Sequence, residues 1–163
     1  MVAFLYRMPN GIRGDISRRQ STTVEPQLLN SALPFANYGM FGKIVSGKFV
    51  PLVASDTASV IYGILARPFP MTGSNASDPL GVDVPAVNGV ADVVRRGYMT
   101  VVNVAGTPAL GSQVYVRIAN PSGIRVIGAI EAALVSGETV AVTGCTFAGT
   151  QDASGNVEIA YNI

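Results

Sequence analysis

The chain has 163 residues, 48% of them hydrophobic and only 13% charged, with 11 basic side chains against 10 acidic ones. A chain this apolar can bury a real core, so wholesale disorder is excluded, and a net charge of +1 is no footprint for nucleic acid. Histidine is absent and cysteine occurs once, which excludes a histidine-based triad, an HExxH zinc site, an internal disulfide and a CxxC pair.

Residues 1 to about 35 differ from the rest. They carry Arg7, Arg13, Arg18 and Arg19 among turn formers at Pro9-Asn10-Gly11 and Gly14-Asp15, and neither period 2 nor period 3.6 persists. This stretch is read as an extended N-terminal arm, with a frayed terminus as the alternative, and residues 22–32, where Glu25, Gln27, Leu28 and Leu29 lie, could form one or two helical turns but are too short to assign as a helix. The start, Met1 to Arg7, has a short apolar run but no basic n-region and no small-residue cleavage site, so no secretory leader is expected. Lys48, Asp56, Arg67 and Glu131 interrupt the long apolar stretches, short of the ~18 apolar residues of a membrane helix.

From residue 36 the chain reads as strands. Residues 42–45 and 48–53 flank Ser46-Gly47, a hairpin signal, and residues 59–66 follow as an apolar, β-branched run. A segment from residue 68 to about 90, broken by Pro70, Pro79 and Pro85, is expected to be a long surface loop. Residues 93–104 alternate, with Tyr98, Thr100, Val102 and Val104 opposite Met99, Val101 and Asn103. Residues 113–118 alternate as well, setting Val114, Val116 and Ile118 against Tyr115 and Arg117. Further short strands are expected over 125–133, 139–143, 144–148 and 157–161, although the Ala-rich stretch 129–134 could instead start a helix. Short strands, Gly-rich turns and almost no helix predict an all-β fold. The expected form is a compact β-barrel or β-sandwich of short antiparallel strands, residues 36–163, with the arm of residues 1–35 appended.

Catalytic chemistry is hard to place. The stretch Asn37-Tyr38-Gly39-Met40-Phe41-Gly42-Lys43-Ile44 fails as a phosphate loop at both ends, lacking the first glycine and the final Ser or Thr. The carboxylates Asp15, Asp56, Asp78, Asp83, Asp92, Glu131, Glu138 and Glu158 stand singly, and most flank turns, where Asp caps the backbone and Glu is solvated. Cys145, beside Phe147 and with no histidine to activate it, reads as a buried structural thiol. Asp152-Ala153-Ser154-Gly155 reads as a hairpin turn rather than a calcium loop, and Asn75-Ala76-Ser77 as a chance glycosylation match. No catalytic residue, metal ligand or cofactor is expected.

The cations are more informative. Arg13, Arg18 and Arg19 lie in the arm and Arg95-Arg96 just before Tyr98. Guanidinium forks suit carboxylates on a protein partner, against the alternative that these charges only keep an apolar chain soluble. Arg67, Phe69 and Tyr98 are candidates for a subunit interface, where Tyr and Arg are enriched, with ordinary core packing as the competing reading of Phe69 and Tyr98.

Several stretches, taken in order, resemble tailed-bacteriophage head decoration proteins, the small cement proteins that bind the outside of a capsid. The resemblance includes Ala36-Asn37-Tyr38-Gly39 leading to the Ser46-Gly47 hairpin, and Val60-Ile61-Tyr62-Gly63-Ile64-Leu65-Ala66-Arg67-Pro68-Phe69-Pro70. It continues through Arg96-Gly97-Tyr98-Met99-Thr100-Val101, Gly111-Ser112-Gln113-Val114-Tyr115-Val116-Arg117 and Gly128-Ala129-Ile130-Glu131-Ala132. Val157-Glu158-Ile159-Ala160-Tyr161 ends it. The resemblance implies a β-rich body, a small homo-oligomer (a trimer favoured over a dimer), and non-covalent attachment to the major capsid protein on the outer surface of the virion. It implies no enzyme, no nucleic acid and no membrane as partner, with synthesis in the host cytoplasm. In this reading Arg13, Arg18 and Arg19 bind the capsid, and Arg67, Phe69 and Tyr98 lie between subunits. A β-barrel binding module of the tail or receptor-binding apparatus is the alternative, and a hydrolase using carboxylates alone ranks third.

Overall fold

The computed structural model describes residues 11–68 and 84–163. Among the described residues, nine strands form one antiparallel sheet, eight of them in the continuous order β3-β2-β4-β5-β9-β8-β6-β7. The all-β expectation holds, and the sheet is curled into a half-barrel.

The organising element is β5, Val90–Val102, which at 13 residues is the longest of these strands. Strands β1 (Thr23–Leu28) and β4 (Gly63–Leu65) both pair with Val93 and Val94, so they lie on its opposite edges. Farther along, β9 (Asn156–Tyr161) pairs with Gly97 to Val102, and Ile16 bridges Met99 from the other side. The two halves meet at Gly97, whose φ of 141° suits a residue without Cβ and whose Cβ, if present, would overlap the Thr22 side chain. A register shift between Thr23 and Val24 marks the same place on β1.

Each half then grows outward. Strands β2 (Phe41–Val45) and β3 (Lys48–Pro51) form the hairpin expected at Ser46-Gly47, where positive φ at both residues matches the strand twist. Strands β8 (Thr139–Phe147), β6 (Gln113–Arg117) and β7 (Ile130–Glu131) extend the other half beyond β9. Isolated bridges draw the curled ends back, Leu29 to Phe49 and Asn103 to Ile130. Inside lie two apolar groups. One runs from Phe41 and Ile64 through Met99 and Val101 to Phe147 and Ile159, and the other joins Leu29, Phe35, Tyr38, Met40, Phe49, Leu65 and Val93.

Four local expectations change. Residues 22–32 contain β1 rather than helical turns, because the edge of β5 offers backbone partners while the segment has no apolar stripe to bury; none of the six β1 side chains is buried. Pro26 fits there because an edge strand tolerates a missing N–H. In the Ala-rich stretch 129–134 and the expected strand 125–133, only Ile130–Glu131 is strand, held by Tyr115 and Val116. The run 59–66 opens with a 3-10 turn, Ala58–Val60, before β4. Stretches 139–143 and 144–148 merge into β8 through Gly144, whose φ is 68°. Of the expected loop 68–90, residues 69–83 lie outside the described residues, and Val90 already belongs to β5.

The pivot has a measurable cost. Gly97→Ala is expected to destabilise the protein by about 3 kcal/mol, since it adds both a disfavoured φ and an overlap with Thr22. Gly47→Ala, where φ is 73° but a Cβ would meet nothing within 4 Å, is expected to cost about 1 kcal/mol. Urea unfolding of the two variants checks the difference.

Candidate functional site

The arm is not detached from the body. The amide of Gly14 donates to the Thr100 carbonyl at 2.8 Å, that of Thr100 to the Asp15 carbonyl at 2.9 Å, and that of Ser17 to the Tyr98 carbonyl at 3.2 Å. Residues 14–17 thus continue along β5 the edge that β1 covers farther on, with a 3-10 turn at Arg19–Ser21 between them.

At that turn the arm is fastened by charge. Arg18 grips Glu158 of β9 with two bonds, Nη2 to Oε2 at 2.6 Å and Nε to Oε1 at 3.1 Å, and Ser17 Oγ donates to the same carboxylate at 2.6 Å. Its guanidinium lies 4.1 Å from the centre of the Tyr98 ring. The bond to Glu158 holds the Arg18 pKa above its ordinary value. Arg18 stays 53% exposed, so this pair is a positioning contact in water rather than a large source of stability.

The sequence-predicted residues therefore converge. Arg18 and Tyr98, expected in different surfaces, stack on each other, and Arg67 Nε donates to the Arg13 carbonyl at 2.9 Å while its ring partner is Tyr38. Arg19 is exposed and lines a groove with Asp15, Ile16, Thr22, Val24, Arg67 and Asp92. Phe69 lies outside the described residues. Arg95 stacks 3.8 Å from the Tyr62 ring centre and stands 3.5 Å from Glu25, whose carboxylate takes the Tyr62 hydroxyl bond and raises the Tyr62 pKa. Beside this cluster, the cross-strand pair Leu28 and Val90 is 53% and 67% exposed, unusual for large aliphatic side chains directly opposite each other on a sheet.

One group of residues escaped the sequence reading. Arg117 and Glu131 are 1% and 0% exposed and form a two-pronged pair, Nε to Oε1 and Nη2 to Oε2. Arg117 Nη1 adds bonds to Glu138 Oε2 at 2.7 Å and to the carbonyls of Ala119 and Asn120. Asn120 and Arg117 together hold the Glu138 carboxyl below its ordinary 4.5, and Glu131 above all keeps Arg117 more firmly protonated than usual. Alternation sets Arg117 with Tyr115 opposite Val114, Val116 and Ile118, and the carboxylates stand singly, so nothing in that pattern links Arg117 to either glutamate. The available signal was Glu131 itself, a carboxylate in the apolar run Ala129-Ile130-Glu131-Ala132-Ala133, which if buried requires a cation.

Nothing in this arrangement resembles an acid/base or nucleophilic site. Cys145 is fully buried, and desolvation pushes its thiol far above its ordinary pKa. The Asp152 carboxylate accepts from the amides of Ser154 and Asn156, as the β8–β9 turn requires. Among the described residues, no group of three or more Cys, Asp or Glu could hold a metal ion. What the site offers is a surface: a fastened strand edge, arginines and exposed aliphatic side chains.

The profile of the XM1 gp53 minor capsid protein family matches residues 1–161. Among solved structures, a chain in "The capsid of Myoviridae Phage XM1" is similar, with 22% identity and a TM-score of 0.71, covering 98% of this chain and 95% of that one. At that identity the likeness is one of fold. No curated protein matches the chain.

Breaking the buried pair is expected to be costly. Glu131→Ala leaves Arg117 charged in a dry interior and is expected to cost about 3–5 kcal/mol, while the joint change Arg117→Met and Glu131→Leu recovers most of it. Urea unfolding of the single and double variants checks this. Glu138 sets an acid limb: because its folded pKa is depressed, its contribution is complete above about 4.5 and is lost as pH falls through the folded value. Glu138→Gln is therefore expected to flatten the fall in melting temperature below that pH.

Proposed function

The chain belongs to the XM1 gp53 minor capsid protein family and is a structural protein of a phage capsid, and from that premise we propose that it decorates and stabilises the head from outside as a homo-oligomeric cement. The observation that carries this reading is the surface along the arm. Exposed Arg18 and Arg19 sit on the turn between the two stretches that line β5, and Leu28 and Val90, aliphatic side chains that a partner would gain by covering, are exposed at the other end of the same edge.

Arg13, Arg18 and Arg19 are the proposed capsid contacts. Arg19 is presented most directly, since it stands on the turn that Arg18 pins to Glu158. Arg67 and Tyr98 lie beneath arm residues, so they reach a neighbouring subunit together with the arm that covers them. A protein that binds only the assembled lattice stabilises that lattice by linkage, and an oligomer gripping several subunits gains avidity without new contacts.

Phage heads lacking this protein provide the test. Adding back the wild-type protein is expected to raise the temperature at which heads release DNA. The triple change Arg13→Ala, Arg18→Ala and Arg19→Ala is expected to weaken binding by at least ~10-fold, the loss of charge-assisted contacts to a partner. Equal binding by the triple variant, shown folded by circular dichroism, removes the arm arginines from the interface. Wild-type protein that binds no heads contradicts the cement role itself.

A further inference from the structure

We propose that in the oligomer the arm is exchanged, so that residues 11–28 of one copy lie along β5 of a second copy in the register they hold along their own. This rests on the homo-oligomeric reading and names the interface that builds it. Three features of the fold make the arm separable. First, its attachment is one that a second copy can supply whole: the bonds of residues 14–17 to β5, the β1 ladder, the Arg18–Glu158 pair, Ile16 against the core and the bonds of Glu25 and Gln27 to Tyr62, with none of the six β1 side chains buried. Second, a groove of about 270 Å³ runs between the arm's Asp15, Ile16, Arg19, Thr22 and Val24 and the body's Arg67 and Asp92.

Third, the connection is built to open. Residues 31–34 are exposed, and the turn they make depends on two bonds to Asn30, from Leu33 N at 3.0 Å and Ala32 N at 3.1 Å. Its two ends converge on Phe49, which Leu29 bridges and Phe35 stacks against at 4.9 Å. Pro34 restricts Leu33 toward extended backbone, the conformation an opened connection needs. Opened, residues 30–34 span up to about 17 Å, enough to carry the arm onto a copy packed alongside. A released arm would leave β5 with a long bare edge, and a bare edge recruits a strand. The arm of a second copy restores each of these contacts at the cost of the hinge alone.

A cross-strand disulfide reads which copy supplies the arm. Leu28 and Val90 are direct partners, both exposed, in the pair that lies between ladder bonds, where Cα atoms approach most closely. The double variant Leu28→Cys with Val90→Cys is oxidised as the native oligomer and run denatured without reductant; buried Cys145 does not compete. Exchange predicts subunits linked to one another, and a disulfide between the two single variants when they are co-expressed. Monomers carrying an internal bridge overturn the proposal. The pair Thr23→Cys with Arg96→Cys, also exposed partners, repeats the reading, and no bridge at either pair overturns it as well. Light scattering of the wild-type protein separates the two failures: a monomer contradicts the oligomer, while an oligomer with internal bridges contradicts only the exchange.

Discussion

Everything in this molecule hangs on one strand with two edges to satisfy. A β-strand exposes an unpaired donor or acceptor at each residue until both sides are covered. Along β5 the body covers one side, with β4 at Val93 and Val94 and β9 from Gly97 onward. The other side is covered by residues 14–28. The arm is thus neither a free tail nor a core element. It is a cover strip along one edge of β5.

The interior explains why the body can serve as a rigid support for that strip. Sixteen buried residues spanning both halves of the sheet form one apolar group, so curling the sheet does not divide it into independent lobes. At the far end the Arg117 guanidinium is surrounded by Glu131, Glu138 and two carbonyls, which fixes the loops around residues 118–138 against β6. A desolvated pair of this kind contributes little net stability, but losing one partner alone is costly.

Much of this was legible in the sequence. Alternation in residues 93–104 and 113–118 located β5 and β6, and Ser46-Gly47 located the hairpin, because those patterns are set by local geometry. The arm was legible as an aperiodic segment, but its docking was not: β1 has no buried side chain to signal a strand, and its partner lies more than sixty positions away. The convergence of Arg18 on Tyr98 and Glu158 is likewise a product of register, which no local motif encodes. The burial of Arg117 was not legible because Glu131 and Glu138, which cover and neutralise it, come from segments that no local pattern brings to β6.

The central claim is that this chain covers the lattice of a capsid rather than a single site on the particle. The most direct measurement is its copy number in purified virions, by quantitative mass spectrometry against the major capsid protein. A ratio near one, or a simple fraction fixed by lattice symmetry, is the result this account predicts. A few copies per particle would place the protein at a tail or a unique vertex and contradict the cement role.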